Sequence, residues 1–469
     1  MATHIEESPY WWSSGSNRAQ LLNSCQVQAD MYSGMAELVV ASSVYEVQCV
    51  VTLNYYPNNQ IQYRIIKQDE DADKFFHEIF YCTQLVMRFQ GKQLQVSIMS
   101  TRTEMSYDKH VKVEIILVNE FMEDYRIGGE RTDVDHVVFQ LYNFPEFRCN
   151  DFHMAKEGLN ACSVYSLHLR LLEYYIDVQS HRSTKTAFET LNLSGGFQST
   201  HLVHVRRFDA QKFSLQDIKL LVEIIEYYLS FVSGEFTRLV CPICITDERI
   251  VCEKLDFPIH AYHLHLGCVN FFQLRPSENH PIETLFNEHF CKFASNWHKE
   301  STLGRSVNMY CQANHQKYID TSLLLIQSGM ETLAYNLFVE KEHTQKIEFE
   351  NAYAPVKLTM LLSAACIPLS VNNYSGNFTH IKEVESSKTK INNRIIHLFI
   401  TTRNSLVHAD NSFYKESGMT TDNIAELQQI MLHIFELCIL YVLGYRGTYV
   451  NRLKQRRVGE VELVPWAQN

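Results

Sequence analysis

The first half of the chain alternates between short apolar runs and turn-forming residues, a pattern typical of β-structure. Runs rich in β-branched and aromatic residues predict strands. These runs are Met35–Ser43, Val47–Tyr56, Gln60–Lys67, Leu94–Arg102, Val111–Val118, Asp135–Phe144, His201–Phe208, Thr237–Ile245 and Arg249–Phe257. The run Val164–Val178 alternates at its start but is long enough for a helix, so strand and helix both remain possible there.

An amphipathic helix interrupts this β-rich part, and a mainly helical part follows it. The segment from Ser214 to Gly234 has apolar residues at helical spacing and cap residues at both ends. Beyond residue 280 the same spacing predicts five helices. They are Pro281–Lys299, His315–His343, Tyr353–Ala365, Val384–Asp410 and Thr420–Tyr445.

These patterns predict an α+β protein with two domains. We expect an N-terminal β-rich, sandwich-like domain with packed helices over residues 1–275, and an all-α helical bundle over residues 280–455. Residues 456–469 are predicted to form a C-terminal tail.

Composition and charge narrow the class of protein. The chain has 469 residues, of which 46% are hydrophobic, so wholesale disorder is excluded. Its net charge is −11, which excludes an overall basic nucleic-acid coat. Residues 1–300 hold the acidic excess, with 26 basic against 38 acidic side chains, whereas residues 301–469 are balanced at 16 against 15.

Targeting and membrane signals are weak. The N-terminal segment lacks the basic and apolar regions of a signal peptide. The most apolar windows are 358–369 and 430–443; they are too short or too interrupted to span a bilayer, and His433 and Glu436 break the second one. The 13 cysteines have no regular spacing, as expected for reduced thiols. We therefore expect a cytoplasmic protein that does not engage a membrane.

The segment Thr401–Asp410 carries the sharpest chemical signal. It places Arg403, Asn404 and His408 within six residues. A histidine can take the proton of a ribose 2′-hydroxyl near neutral pH, and an arginine can stabilise the charge that develops on phosphorus. Such a set could cleave RNA without a metal ion. The pattern also fits a solvated helix face that carries a structural histidine.

The spacing of these residues constrains the site. In a regular helix Asn404 and His408 share a face, but Arg403 and His408 lie about 140° apart. Arg403 must therefore reach around the helix, or the motif must straddle a helix end, or a second copy of the chain must complete the site.

A longer set of segments resembles a known family. RNSLVHAD at the end of one helix, with the long apolar helix after it, resembles the HEPN superfamily of ribonucleases. The C-terminal order of segments is similar to the ApeA-like abortive-infection family. These segments are Phe286–Lys299, Tyr318–Phe338, Ile400–Asp410 and Leu427–Gly447. The upstream segment Leu215–Val240 resembles the end of that family's β-rich N-terminal domain.

The resemblance implies a metal-independent endoribonuclease of anti-phage defence that needs no cofactor. It implies an HEPN helical bundle that forms a homodimer and acts on RNA, with transfer RNA among the candidates. A phage-encoded trigger and restraint by the N-terminal domain are further expectations. Carried over by residue, Arg403 and His408 are the catalytic pair and Asn404 orients them, while Glu331 supports the site.

Other side chains could assist. Ser405 could orient phosphate or be an ordinary helix-end hydroxyl, and Tyr414 is close enough in sequence to line the site. A basic cluster could contact RNA phosphates or be a solvated tail. It comprises Arg452, Lys454, Arg456 and Arg457.

A zinc site is the weaker alternative chemistry. Cys241 and Cys244 form a C-x-x-C pair, with His263 and Cys268 downstream. Residues three apart on a strand point to opposite faces, however, so we predict no metal. Two further functions remain open: a non-catalytic HEPN module for RNA binding or dimerisation, and a sensor.

Overall fold

The computed structural model describes most of the chain between Gln28 and Ala467. The described residues are 28–40, 43–54, 60–80, 85–89, 92–105, 111–118, 126–127, 130–149, 151–157, 160–181, 184–194, 198–254, 280–296, 302–316, 318–341, 346–374, 385–386, 389–390, 395–407, 419–454 and 461–467.

The N-terminal strands close into a six-stranded antiparallel barrel in the order β1-β2-β3-β6-β5-β4. Its strands are β1 (Gln28–Val40), β2 (Ser43–Asn54), β3 (Gln60–Lys67), β4 (Leu85–Phe89), β5 (Lys92–Met105) and β6 (Val111–Val118). Along β1 the buried residues Ala36, Leu38 and Val40 alternate with residues that face outward. Helix α1 (Ala72–Phe80) adds Phe75 to the same core. Closure leaves the barrel without a free sheet edge.

An eight-stranded sheet follows, in the order β7-β14-β13-β8-β12-β11-β10-β9. Its strands are β7 (Arg126–Ile127), β8 (His136–Tyr142), β9 (Phe152–Glu157), β10 (Asn160–Leu171), β11 (Tyr174–Ser180), β12 (Ser199–Arg207), β13 (Leu239–Thr246) and β14 (Arg249–Lys254). The ambiguous run Val164–Val178 is therefore two strands. They meet at a tight turn in which Leu172 has a φ of 53°.

The sheet lies between the barrel and the helices. Tyr142 of β8 and Val240 of β13 belong to the hydrophobic core of the barrel. Helices α2 (Thr184–Ser194) and α3 (Lys219–Ser233) belong to this part of the chain. The N-terminal part is thus rich in sheet, as predicted, but it is a closed barrel plus an open sheet instead of a sandwich.

The C-terminal part is mainly helical. Its helices are α4 (Pro281–Thr284), α5 (Thr302–His315), α6 (Ile319–Tyr335), α7 (Lys346–Asn351), α8 (Ala354–Ala364), α9 (Ile395–Val407) and α10 (Thr421–Val442). Helix α6 packs against α5, α8, α9 and α10. The buried side chains of the helices and of the eight-stranded sheet form one continuous core. The predicted boundary near residue 280 therefore separates two architectures that share a core.

Helix α10 is long and apolar enough to cross a membrane by length and composition alone. Within the protein, 78% of its most apolar window is buried. A capping box starts it, since Thr420 Oγ1 accepts from Asn423 N and the Asn423 side chain accepts from Thr420 N. Its composition is therefore that of a central core helix.

In and around the helical part, three segments differ from the predicted elements. Helix α5 is not among the predicted helices; its buried face mixes the small residues Gly304 and Ser306 with larger apolar ones, which weakens the apolar pattern. The predicted helix Val384–Asp410 is helical only over α9 among the described residues; residues 385–386 pair with 389–390 as short strands β15 and β16. Near the C-terminus, Trp466 is buried and its Nε1 donates to the carbonyl of Tyr445, so this part of the predicted tail packs back on the core.

Candidate active site

Helix α9 positions the motif. One face of this helix is buried against α6, α8 and α10. The residues of that face are Ile395, Ile396, Leu398, Phe399, Thr402 and Ser405. The apolar residues fix the rotation of the helix, and this rotation brings Arg403 and Asn404 to the rim of the buried face in the last turn.

Arg403 is half-buried, and no side chain in the described part of the chain neutralises its charge. Its Nη1 donates a hydrogen bond of 2.9 Å to Oδ1 of Asn404. Its Nε is buried and has no hydrogen-bond partner among the residues that the structure describes. Among the described residues no carboxylate lies within 4.0 Å of the guanidinium. The Arg403 guanidinium therefore keeps donors available for an anion such as phosphate.

Two of the predicted companions have other partners. The Ser405 hydroxyl donates to the carbonyl of Thr401 at 2.9 Å, so it is bonded to its own helix. Glu331 of α6 accepts a hydrogen bond of 2.8 Å from Gln327 Nε2 and makes no ion pair with Arg403. The structure thus brings Arg403 and Asn404 together and leaves Glu331 outside that pair. His408 and Tyr414 lie outside the described residues.

The basic cluster near the C-terminus does not form one exposed patch. The side chain of Arg452 is fully buried, and its Nη2 lies 2.7 Å from Oε1 of Glu436 in α10. The prediction that Arg452 contacts RNA is therefore wrong, because a guanidinium inside the protein core cannot reach a phosphate. Lys454 is exposed and pairs with Glu462. Arg456 and Arg457 lie outside the described residues.

The cysteine pair considered for zinc is split between two cores. Cys241 lies at an irregular point of β13 with a φ of 52° and packs in the barrel core. Cys244 belongs to the core that contains the helices, and its strand partner is Cys252. Burial and the neighbouring Cys252 raise the pKa of Cys244, which disfavours a thiolate ligand. His263 and Cys268 lie outside the described residues, and no group suited to a metal occurs within the described ranges.

One charged cluster, centred on His168, is not predicted from the sequence. His168 of β10 hydrogen-bonds through Nδ1 to Asp177 at 2.7 Å and through Nε2 to Asp151. The hydrogen bond with Asp177 is the main reason that the pKa of His168 rises to about 9. Burial would raise the pKa of Asp177, but the contact with His168 lowers it below its usual value. His168 is therefore an imidazolium between two carboxylates.

The same strand joins the sheet to the helices. The backbone N–H of His168 donates to Oε1 of Glu283 in α4 at 2.6 Å. The Asn287 side chain accepts from Arg170 N at 2.7 Å and donates to the carbonyl of His168 at 3.0 Å. These side chains cover the open edge of β10 as a neighbouring strand would. The period-two alternation of the run Val164–Val178 was the signal that could have placed His168 and Asp177 on one face.

Comparison with known proteins finds two matching family models. Residues 129–262 match the YopA central domain, and residues 296–463 match the YopA C-terminal domain. The chain is 25% identical over 449 residues to the SPbeta prophage-derived uncharacterized protein YopA of Bacillus subtilis (strain 168), covering 93% of this chain and 94% of that protein. No solved structure matches the chain. The two matched segments coincide with the eight-stranded sheet and with the helical part, so the chain is similar to YopA-type domains over both.

Proposed function

We propose that the protein is a metal-independent endoribonuclease whose active site is formed by Arg403, Asn404 and His408. One observation carries the proposal: the Arg403 guanidinium is half-buried, is hydrogen-bonded to Asn404, and has no carboxylate partner among the described residues. A guanidinium with no carboxylate partner in the described ranges, at the end of a packed helix, suits a phosphate. His408 follows α9 directly in the chain.

The chemistry follows from these side chains. His408 takes the proton of a ribose 2′-hydroxyl, and the oxygen attacks the adjacent phosphorus. The P–O2′ bond forms and the P–O5′ bond breaks, and the departing 5′-oxygen takes up a proton. Arg403 donates to the phosphorane oxygens, where the negative charge is greatest in the transition state. The products are a 2′,3′-cyclic phosphate and a 5′-hydroxyl.

The biological setting is part of the proposal. The HEPN resemblance supports a homodimer in which two copies of α9 line one groove. The relative in Bacillus subtilis is described as prophage-derived, which supports a role in conflict between phage and host. In that setting the sheet-rich part restrains the helical part until a phage-encoded trigger binds. Restraint is required because unregulated RNA cleavage kills the cell.

The test compares wild type with three variants. Purified proteins are incubated with total cellular RNA in the presence of EDTA, and the ends of the products are identified. Without the trigger we expect slow cleavage by wild type that leaves 2′,3′-cyclic ends, and a further loss on the order of 10²-fold or more in Arg403→Ala and His408→Ala. Arg446→Ala is the matched control, because Arg446 is an exposed arginine elsewhere in the helical part.

The same variants are expressed in cells, where the natural trigger can be supplied by phage infection. We expect wild type and Arg446→Ala to arrest growth on infection, and the other two variants to permit it. Equal cleavage or equal toxicity in all four proteins would refute the assignment. RNA binding without cleavage under both conditions would favour a non-catalytic module.

A further inference from the structure

The outer face of the eight-stranded sheet is open to solvent at β10, at β11 and at the end of β12, where Arg206 is exposed. Burial alternates along β11, where every second residue from Tyr174 to Ser180 is buried and those between are partly exposed. β8 differs, because nearly all of its residues are buried. One face of β10–β12 therefore packs on the helices while the other presents side chains to solvent.

A row of three side chains crosses this open face. Arg170 of β10 is the strand partner of Tyr175 in β11, and Tyr175 is the strand partner of Arg206 in β12. Direct partners on adjacent strands project to the same side of a sheet. The guanidinium carbons lie 5.3 Å and 5.4 Å from the centre of the Tyr175 ring, so each arginine stacks on the tyrosine. The ring thereby fixes both guanidinium groups at neighbouring positions.

The charge of this row is positive. Arg170 has no carboxylate within 4.0 Å among the described residues. Arg206 makes a longer contact of 3.4 Å with Asp177, whose charge is already shared with His168. Asp151 pairs with the other nitrogen of the same imidazole. The two acidic side chains next to the row are thus engaged, and Arg170 is left for an anionic ligand.

Exposed apolar side chains extend the row at the end of the sheet. Phe208 is 59% exposed, and its ring centre lies 6.1 Å from that of Tyr175. Leu172, in the turn between β10 and β11, is 65% exposed. An exposed aromatic ring beside fixed arginines offers a stacking surface and phosphate donors within one patch.

We propose that Arg170, Tyr175, Arg206 and Phe208 form a binding surface for single-stranded RNA. The choice of RNA as the ligand rests on the proposed ribonuclease function. The geometry of the surface is observed independently of that function. Unpaired bases stack on Phe208 and on the outer planes of the guanidinium groups, and the backbone phosphates contact Arg170. A duplex hides its base faces, so this surface favours a single strand. The sheet would then select or hold a strand for the helical part to cleave.

The test measures binding with a protein that cannot cleave. Full-length His408→Ala protein is titrated into a fluorescent single-stranded RNA of about 12 nucleotides, and anisotropy gives the dissociation constant. Introducing Phe208→Ala into this His408→Ala protein should weaken RNA binding about fivefold or more, because base stacking is lost. Adding Arg170→Gln should weaken it and reduce the salt dependence by about one phosphate contact. Arg249→Gln is the matched control, an exposed arginine on β14 of the same sheet.

Each other outcome overturns the inference. Unchanged binding in both variants would show that the surface does not touch RNA. If Arg249→Gln weakened RNA binding as much as Arg170→Gln, the loss would reflect the general charge of the protein and not this surface. If duplex RNA bound as tightly as single-stranded RNA, the proposed preference for a single strand would be wrong. Displacement of the RNA by polyglutamate at equal charge would assign the surface to an acidic protein partner. Because binding is measured without cleavage, its result is independent of whether Arg403 and His408 prove catalytic.

Discussion

The Nη1 of Arg403 donates a hydrogen bond of 2.9 Å to Oδ1 of Asn404, the next residue in the same helical turn. Adjacent residues of a helix do not share a face, so this contact bends the arginine side chain sideways along the helix surface. Asn404 thus sets the direction of the guanidinium while leaving its charge intact. This is the property that the polar residue of the motif contributes.

A carboxylate at position 404 should therefore be more harmful than an alanine. Asn404→Ala frees the arginine and should slow RNA cleavage several-fold, since one hydrogen bond contributes about 1 kcal/mol. Asn404→Asp places a negative charge against the guanidinium and should slow cleavage on the order of 10²-fold, as removal of the cation would. Single-turnover rates on one RNA substrate measure both effects. Ser405→Ala is the control and should retain its rate, because its hydroxyl is bonded to Thr401.

The buried ion pair between Arg452 and Glu436 should dominate the stability of the C-terminal segment. Both side chains are almost completely inaccessible, and Tyr310 also donates to Glu436 at 2.7 Å. Arg452→Met leaves a buried carboxylate without its cation and should lower the free energy of unfolding by about 3–5 kcal/mol. The double variant with Glu436→Gln removes both charges and keeps an acceptor for Tyr310, so it should lose much less.

Urea unfolding of Arg452→Met and of the double variant measures whether the unpaired buried charge causes the loss of stability. A double variant as unstable as Arg452→Met would contradict the assigned cause. RNA affinity provides a second measurement: it should be the same in the double variant and in wild type, since neither side chain reaches solvent.

The close approach of α6 and α10 depends on Gly329. A Cβ built at this position would lie 2.2 Å from Cζ of Phe435 and 2.8 Å from its Cε1. Gly329→Ala should therefore destabilise the protein by about 1–3 kcal/mol through overpacking, although alanine has the better helix propensity. Ser328→Ala, at the exposed neighbouring position, should be neutral or slightly stabilising. Thermal unfolding of Gly329→Ala and Ser328→Ala measures the difference in stability. Equal stabilities of the two variants would contradict the packing argument.

Local pattern explains which elements could be predicted from the sequence. The strands Gln60–Lys67 and Val111–Val118 agree with β3 and β6 to the residue, because alternation marks both of them. The helix before Gly234 also ends where expected, and Gly234 adopts a φ of 75° that glycine accepts without strain. These signals are carried by neighbouring residues and need no knowledge of the tertiary fold.

Tertiary context explains what could not be predicted. Arg452 looked like part of a solvated basic cluster, since its ion-pair partner Glu436 lies in another element of the chain. The row formed by Arg170, Tyr175 and Arg206 depends on strand register, which a single sequence does not reveal. Of the candidate site, the sequence indicated the Arg403–Asn404 pair, and it could not show that Glu331 is bonded to Gln327.

The imidazolium of His168 should make stability fall at alkaline pH. Its folded-state pKa of about 9 lies above the ordinary value of about 6.5, so its stabilising effect is complete below about pH 6.5 and disappears as the pH rises through 9. The His168 side chain is 43% exposed, so we expect a contribution of about 1 kcal/mol or less. The difference in unfolding free energy between wild type and His168→Asn should therefore shrink between these two pH values.

Two other groups with strongly shifted pKa values do not obscure this difference. Burial raises the pKa of Glu235 to about 8, but Glu235 titrates equally in wild type and variant and cancels. Burial lowers the pKa of His181 to about 4, well below the range measured. His77→Gln, at an exposed histidine of α1, is the matched control for replacing a histidine by an amide. A gap between wild type and His168→Asn that stays constant from acidic to alkaline pH would show that His168 acts through packing alone, without the charge that its two carboxylate partners stabilise.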